Sequence, residues 1–187
     1  LEEKTAEKVD PSEQNKEEDP ESELREEVPV GKKRVALTFD DGPHPTNTEQ
    51  ILKLLDQHDA KATFFMLGNR VDFYPDIAKE VADAGHEIGN HTWSHKDLTT
   101  LGEAEMEQEF QRTNEAVVNA IGKSPTVFRP PYGARNEQVD HVIEIPAILW
   151  TIDSLDWKSH DPDQVLSIVK ENIQDGSIIL MHDIHAT

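Results

Sequence analysis

The sequence contains no cysteine. Disulfides and thiolate metal sites are therefore excluded, and any metal must be held by His, Asp or Glu. Positive charge is also scarce: 18 Lys and Arg face 38 Asp and Glu, for a formal net charge of -20. A chain of that sign is repelled by phosphate backbones and anionic membrane surfaces, which argues against nucleic acid as a partner. No apolar run approaches the ~18 residues that a membrane span requires. The chain begins at Leu1 rather than Met, so a processed or trimmed product is expected, and a signal peptide or membrane anchor upstream is compatible with that.

Its 187 residues are enough for one domain with a core of its own. Residues 1–30 stand apart. They hold 12 acidic and 4 basic residues, a net of -8, no aromatics, and prolines at 11, 20 and 29. Such a stretch cannot bury enough apolar surface to offset its ordering entropy, and it reads as an acidic disordered linker or stalk. A solvated Glu/Lys helix is the alternative, against which the scattered prolines count.

From Lys32 onward, short apolar runs alternate with amphipathic stretches. Strands are expected at 34–39 (RVALTF), 62–67 (ATFFML), 87–89, 126–128, 147–152 and 177–181 (SIILM). Helices are expected at 48–57, 75–84 before Gly85, 103–121 before Gly122, and 162–174. Alternation of this kind implies parallel βαβ units and a sheet or barrel covered by helices, with the chemistry at the carboxyl ends of the strands.

The polar clusters do follow the strands. Asp40 and Asp41, in TFDDGP, come directly after the first. Adjacent carboxylates repel unless a cation or proton lies between them. Gly42 and Pro43 turn the chain so that both can face one site; an ordinary Asp-Gly turn is the plain alternative. His91 and His95, in HTWSH, follow the third strand, and their spacing places two imidazoles on one side of a helical turn, as in many zinc sites. Two surface histidines would give the same pattern, but with a carboxylate from another strand end they make a three-ligand site with open positions. In RPPYG, Arg129 precedes two prolines that lack N–H donors, so the Tyr132 N–H is the first donor that the loop can aim at an oxyanion. DSLDW and LMHD end the next two strands; His182 is a candidate general acid with Asp153 or Asp156 as its partner. Of the other six histidines, most read as surface or structural, with His185 close enough to His182 to stay open.

These five motifs, in this order, resemble those of the polysaccharide deacetylases, the family-four carbohydrate esterases, over about residues 32–187. The resemblance implies an α/β fold, a deformed (β/α) barrel of seven or eight strands. The family continues with one more helix and strand after the last motif, so these are expected to be missing from a chain ending at Thr187. It implies a catalytic domain at 31–187 that removes N-acetyl groups from a glycan, with peptidoglycan amino sugars the expected substrate. Chitin oligomers or acetylxylan, or an inactive glycan-binding module, are the alternatives. By the same resemblance Asp40 is the base, Asp41, His91 and His95 bind a divalent metal (zinc expected, cobalt or iron as alternatives), and the Tyr132 N–H belongs to the oxyanion hole. His182 is the acid, Arg129 orients Asp40, Asp156 tunes His182, and Trp157 and Leu180 line the acetyl pocket. No tight protein partner is implied, and an extracellular or wall-associated bacterial location is expected.

Overall fold

The computed structural model describes residues 32–185; the acidic stretch at 1–30 lies outside them. The first elements are β1 (Val35–Asp40), α1 (Asn47–Gln57), β2 (Ala62–Met66), α2 (Gly68–Phe73), α3 (Pro75–Asp83) and β3 (Glu87–Asn90). There follow α4 (Glu103–Ile121), α5 (Glu137–Val142), β4 (Ile152–Asp153), α6 (Asp156–Ser159), α7 (Pro162–Asn172) and β5 (Ser177–His182). All pairings are parallel, in the order β3-β2-β1-β5-β4.

The sheet does not stop at β3. Phe128 bridges Asn90 on one side and Ala147 on the other. The segment that starts at Ala147 ends as β4, paired with β5, so one stretch of chain touches both margins of the sheet and curves it into a deformed barrel. Where the motifs imply seven or eight strands, the described residues form five ladder strands plus these bridged stations. Two expected strands shrink accordingly: 126–128 to the bridge at Phe128, and 147–152 to Ala147 plus the short β4. Pro130 and Pro131, which supply no N–H, prevent a longer ladder after Phe128.

The helices obey the apolar spacing. On α4, Met106, Phe110, Thr113, Ala116 and Val117 are buried, one stripe of a 3.6-residue period. Gly122 ends it in the left-handed region (φ 74°), its N–H returning to the Val118 carbonyl at 2.7 Å. This stripe and those of α1 and α3 cover Phe39, Phe64, Met66 and Ile88 on the outer face of the sheet, where Phe39 and Phe64 stack at 5.1 Å. A second cluster, from Leu98, Met106 and Phe110 to Phe128, Val139 and Ile143, packs between α4 and α5. Helices α2, α5 and α6, none longer than six residues, lie outside the expected set.

The inner face is organised around a charge. Arg129 is wholly buried, its guanidinium 4.1 Å from the Phe65 ring centroid. It donates to the Asp40 carboxylate at 2.7 Å, to Thr38 Oγ1 at 2.8 Å, and to the carbonyls of Ile148 and Leu149 at 2.9 and 3.1 Å. A buried guanidinium is tolerable only with its donors occupied and an anion beside it. Here it ties β1 to the bridging segment and fixes the first carboxylate of the site.

Candidate active site

In register, Asp40 lies beside Phe65 and His182, Met66 beside Asn90, and Asp153 beside Leu180. All five motifs therefore converge at the carboxyl ends of the parallel strands, as expected for such a sheet. They surround a cleft of about 420 Å³ lined by Asp40, Asp41, His91, His95 and His182, together with Tyr132, Trp150, Asp153, Trp157 and Leu180.

Asp41 Oδ1 lies 3.4 Å from His91 Nε2 and 3.4 Å from His95 Nε2. One ligand atom from each of these residues falls within 4.8 Å of the others. Asp41 Oδ1 is buried and has no hydrogen-bond partner among the described residues, a costly state for a carboxylate unless a cation occupies the space it faces. His91 Nδ1 lies 2.7 Å from the Arg129 carbonyl; donating there leaves Nε2 as the free lone pair, the arrangement usual behind metal-bound histidines. The hard carboxylate and two imidazoles fit a divalent metal such as zinc.

The His91–His95 segment corrects one expectation. It is not a helical turn: Thr92 and His95 adopt left-handed backbone (φ 68° and 61°) in a loop. The loop is held from behind. Thr92 N–H donates to Asn90 Oδ1 at 2.8 Å, and Ser94 gives both its N–H and its hydroxyl to buried Glu109 at 2.8 Å. The same region of backbone space recurs at Asp41, Tyr132 and Leu155. For residues with a Cβ this conformation costs of order 1–3 kcal/mol each, and its concentration around one cleft marks a site over-determined by its surroundings.

Electrostatics separate the two aspartates. Burial raises the Asp40 carboxyl above the ordinary value, against the pull of His91 and Arg129. Burial acts on Asp41 too, but His91 and His95 outweigh it and hold the carboxyl down at about 2. Asp40 is thus the more basic carboxylate of the two and Asp41 the more acidic. His182 ends β5 beside Asp40; Asp156 Oδ1 lies 2.8 Å from His182 Nδ1, and Asp156 Oδ2 accepts the His182 backbone N–H at 2.6 Å. Burial disfavours a charged His182, but the Asp156 hydrogen bond and charge prevail and its pKa is raised. Of the two candidate partners, Asp156 is the one in contact. Asp153 instead accepts from Leu155 N–H at 2.9 Å and from the Trp157 indole at 3.3 Å.

Tyr132 is 68% exposed at the mouth of the cleft, its ring 4.6 Å from that of His95. Gly133 and Ala134 give their N–H groups to Pro130 and Pro131 carbonyls, while the Tyr132 N–H meets no acceptor among the described residues. Trp157, 48% exposed, and Leu180 complete the wall. Sequence reasoning missed Trp150, which also lines the cleft and lies over Arg129 at 5.6 Å; its place at the end of the AILW run was the available signal. It also missed Glu109, whose position on a long helix resembles an ordinary solvated one. His185 sits 5.8 Å from the His182 ring and 5.0 Å from that of His160, outside the candidate ligand cluster of Asp41, His91 and His95.

The model of one protein family, described as "Polysaccharide deacetylase", matches residues 27–148. The chain belongs to the polysaccharide deacetylase family. That match takes in TFDDGP, HTWSH and RPPYG. Among this chain's relatives, peptidoglycan-N-acetylglucosamine deacetylase PgdA of Listeria monocytogenes is 44% identical over 163 residues, 86% of this chain and 35% of that protein. The structure of peptidoglycan deacetylase PdaC from Bacillus subtilis superposes with a TM-score of 0.83 at 39% identity, covering 85% of this chain and 79% of that one. A structure described as "T48 deacetylase with substrate" gives 0.80 at 49% identity, covering 82% and 76%. The chain spans about a third of the length of the PgdA and PdaC relatives.

Proposed function

We propose that this chain hydrolyses N-acetyl groups from the amino sugars of peptidoglycan, releasing acetate, with zinc held by Asp41, His91 and His95. The observation that carries the reading is the orphaned Asp41 Oδ1 facing two imidazoles, flanked by a buried carboxylate and an imidazole–carboxylate pair. The family membership and the names of the peptidoglycan deacetylases it resembles support it.

An acetamide is a weak electrophile with a poor leaving group. A bound divalent metal supplies Lewis acidity toward the carbonyl oxygen and lowers the pKa of water. Asp40, kept anionic by Arg129 yet made more basic by burial, takes the proton from the attacking water. The Tyr132 N–H, held by the proline-stiffened loop, donates to the oxyanion as the carbonyl carbon becomes tetrahedral. His182 gives its proton to the departing nitrogen, and Asp156 both orients the ring and keeps it charged. Asp40 and His182 are register neighbours on the first and last strands, which lets them serve one substrate from two sides. Trp157 and Leu180 border the acetyl methyl, with Asp153 holding the indole. The location that follows is the outside of a bacterial cell, at its wall.

Product analysis separates this substrate from its nearest rivals. Purified peptidoglycan, chitin oligomers and acetylxylan are each incubated with the zinc-loaded protein, and free acetate and new amines are counted. Peptidoglycan is expected to be turned over fastest. Preference for acetylxylan, an ester, would overturn the amide assignment, and acetate from none of the three would favour a glycan-binding module.

A further inference from the structure

The residue after His182 has no part in the chemistry above. Asp183 is wholly buried, and among the described residues its Oδ1 has no hydrogen-bond partner. An apolar side chain would fill that space without the cost of an unsatisfied buried carboxyl, so packing alone does not account for it. Its contacts all lead to one place. Asp183 Oδ2 accepts the Thr48 hydroxyl at 2.5 Å, and the same Thr48 oxygen accepts the His44 N–H at 2.8 Å. The Asp183 N–H donates to the Asp40 carbonyl at 3.3 Å. Gly42 lies so close that a Cβ on it would overlap the Asp183 carboxylate; only glycine permits the approach.

The segment from Asp40 to His44 is thus pinned at its start, middle and end by Asp183, directly or through Thr48. Within it is Asp41, a non-glycine residue at φ 75°, a conformation that must be imposed by its surroundings. Asp183 itself lies outside the Asp41–His91–His95 cluster. Asp183 follows His182 in the chain, so adjacent residues link to the two parts of the site: His182 to Asp156, and Asp183 to the aspartate turn.

We propose that Asp183, acting with Thr48, is a positioning residue that holds the Asp41 turn so that Asp41 Oδ1 faces His91 and His95 and Asp40 faces His182. The proposal rests on the reading of Asp41, His91 and His95 as a metal centre. Outer partners of metal ligands typically account for ~10–100-fold in metal affinity or activity, and that is the range expected here.

The test measures zinc affinity, by competition with a chromogenic chelator, for wild type, Asp183→Ala, Asp183→Asn, Thr48→Val and Thr48→Ser, each checked for folding by circular dichroism. Asp183→Ala and Thr48→Val are expected to bind zinc ~10–100-fold more weakly while folded. Their kcat on a soluble N-acetylated oligosaccharide is expected to fall with KM unchanged, since the cleft walls are intact. Thr48→Ser, which restores the bridging hydroxyl, and Asp183→Asn, which keeps an acceptor for Thr48, are expected to stay close to wild type. If Asp183→Ala does not fold, the Thr48→Val and Thr48→Ser pair decides, because it differs by the hydroxyl on a side chain of nearly constant size. Folded variants with lowered melting temperature but wild-type zinc affinity would overturn the role of Asp183 and leave the metal centre standing. A wild-type protein that takes up no zinc would instead overturn the reading of the site on which the proposal rests.

Discussion

Replacing His182 with alanine is expected to harm amide and ester hydrolysis unequally. The ring is placed for late proton donation: Nδ1 is engaged by Asp156 at 2.8 Å, and His182 lines the cleft beside Asp40 on the neighbouring strand. An amine cannot leave as an anion, so the amide reaction needs that proton. The phenolate of an aryl acetate leaves without one. Loss of a general acid typically costs ~10²–10⁴-fold, or about 3–5 kcal/mol of transition-state stabilisation. N-deacetylation of a chito-oligosaccharide by His182→Ala is therefore expected to fall by that factor, and hydrolysis of an aryl acetate by less than about tenfold. Asp156→Asn extends the test. In the wild type Asp156 lifts the His182 pKa above its ordinary 6.5, so the acid form persists to higher pH. Removing the charge is expected to move the descending limb of the kcat/KM profile to lower pH. Both reactions are followed by acetate release, with circular dichroism to confirm folding. Equal losses on amide and ester in His182→Ala would refute leaving-group protonation by this residue.

Three further outcomes are expected. Asp40→Asn keeps the shape but loses the proton acceptor, so turnover of amide and ester alike should drop ~10²–10⁴-fold while zinc content by elemental analysis is unchanged; retained turnover would move the base elsewhere. Deleting residues 1–28 is expected to leave turnover of a soluble oligosaccharide within about a factor of two, because none of the candidate site residues lies in this charge-rich segment; a large loss in a folded protein would show that it contributes to the site. Burial and Lys61 lower the His86 pKa, and its ring accepts the Ala62 N–H at Nδ1 (3.3 Å). The unfolded chain therefore takes up this proton first as pH falls: the contribution is full above about pH 6.5 and declines below it. Melts of wild type and His86→Asn should show a difference that narrows from about pH 7.5 to pH 5.5; a widening gap would mean that the ring is charged in the folded state.

The elements that could be read in advance are those whose signal is local. RVALTF and SIILM are apolar runs that break into polar motifs, and β1 and β5 end on those motifs at Asp40 and His182. The stripe on α4 and its glycine stop likewise lie within one stretch of sequence. What escaped depends on distant partners. The four-residue gap between His91 and His95 resembles a helical turn, yet the backbone there is set by Asn90 and by Glu109 on another element. The strand expected at 126–128 shrinks to Phe128 alone, which bridges Asn90 and Ala147 before two prolines follow. Asp183 reads as the tail of a motif, whereas its partner Thr48 is 135 residues away. The candidate ligands could be read because Asp41 and the His91–His95 motif follow strands; the side chains that aim them could not.

The central claim is that acetate release depends on a metal held by Asp41, His91 and His95. The most direct measurement is acetate released from purified peptidoglycan by wild-type protein that is zinc-loaded, chelator-stripped, or stripped and resupplied with zinc, beside His91→Ala under the same conditions. The account predicts release by the loaded and resupplied protein, little from the stripped protein, and little from His91→Ala, which folds but holds substoichiometric zinc. Undiminished release by metal-free wild type, or by His91→Ala, would contradict it.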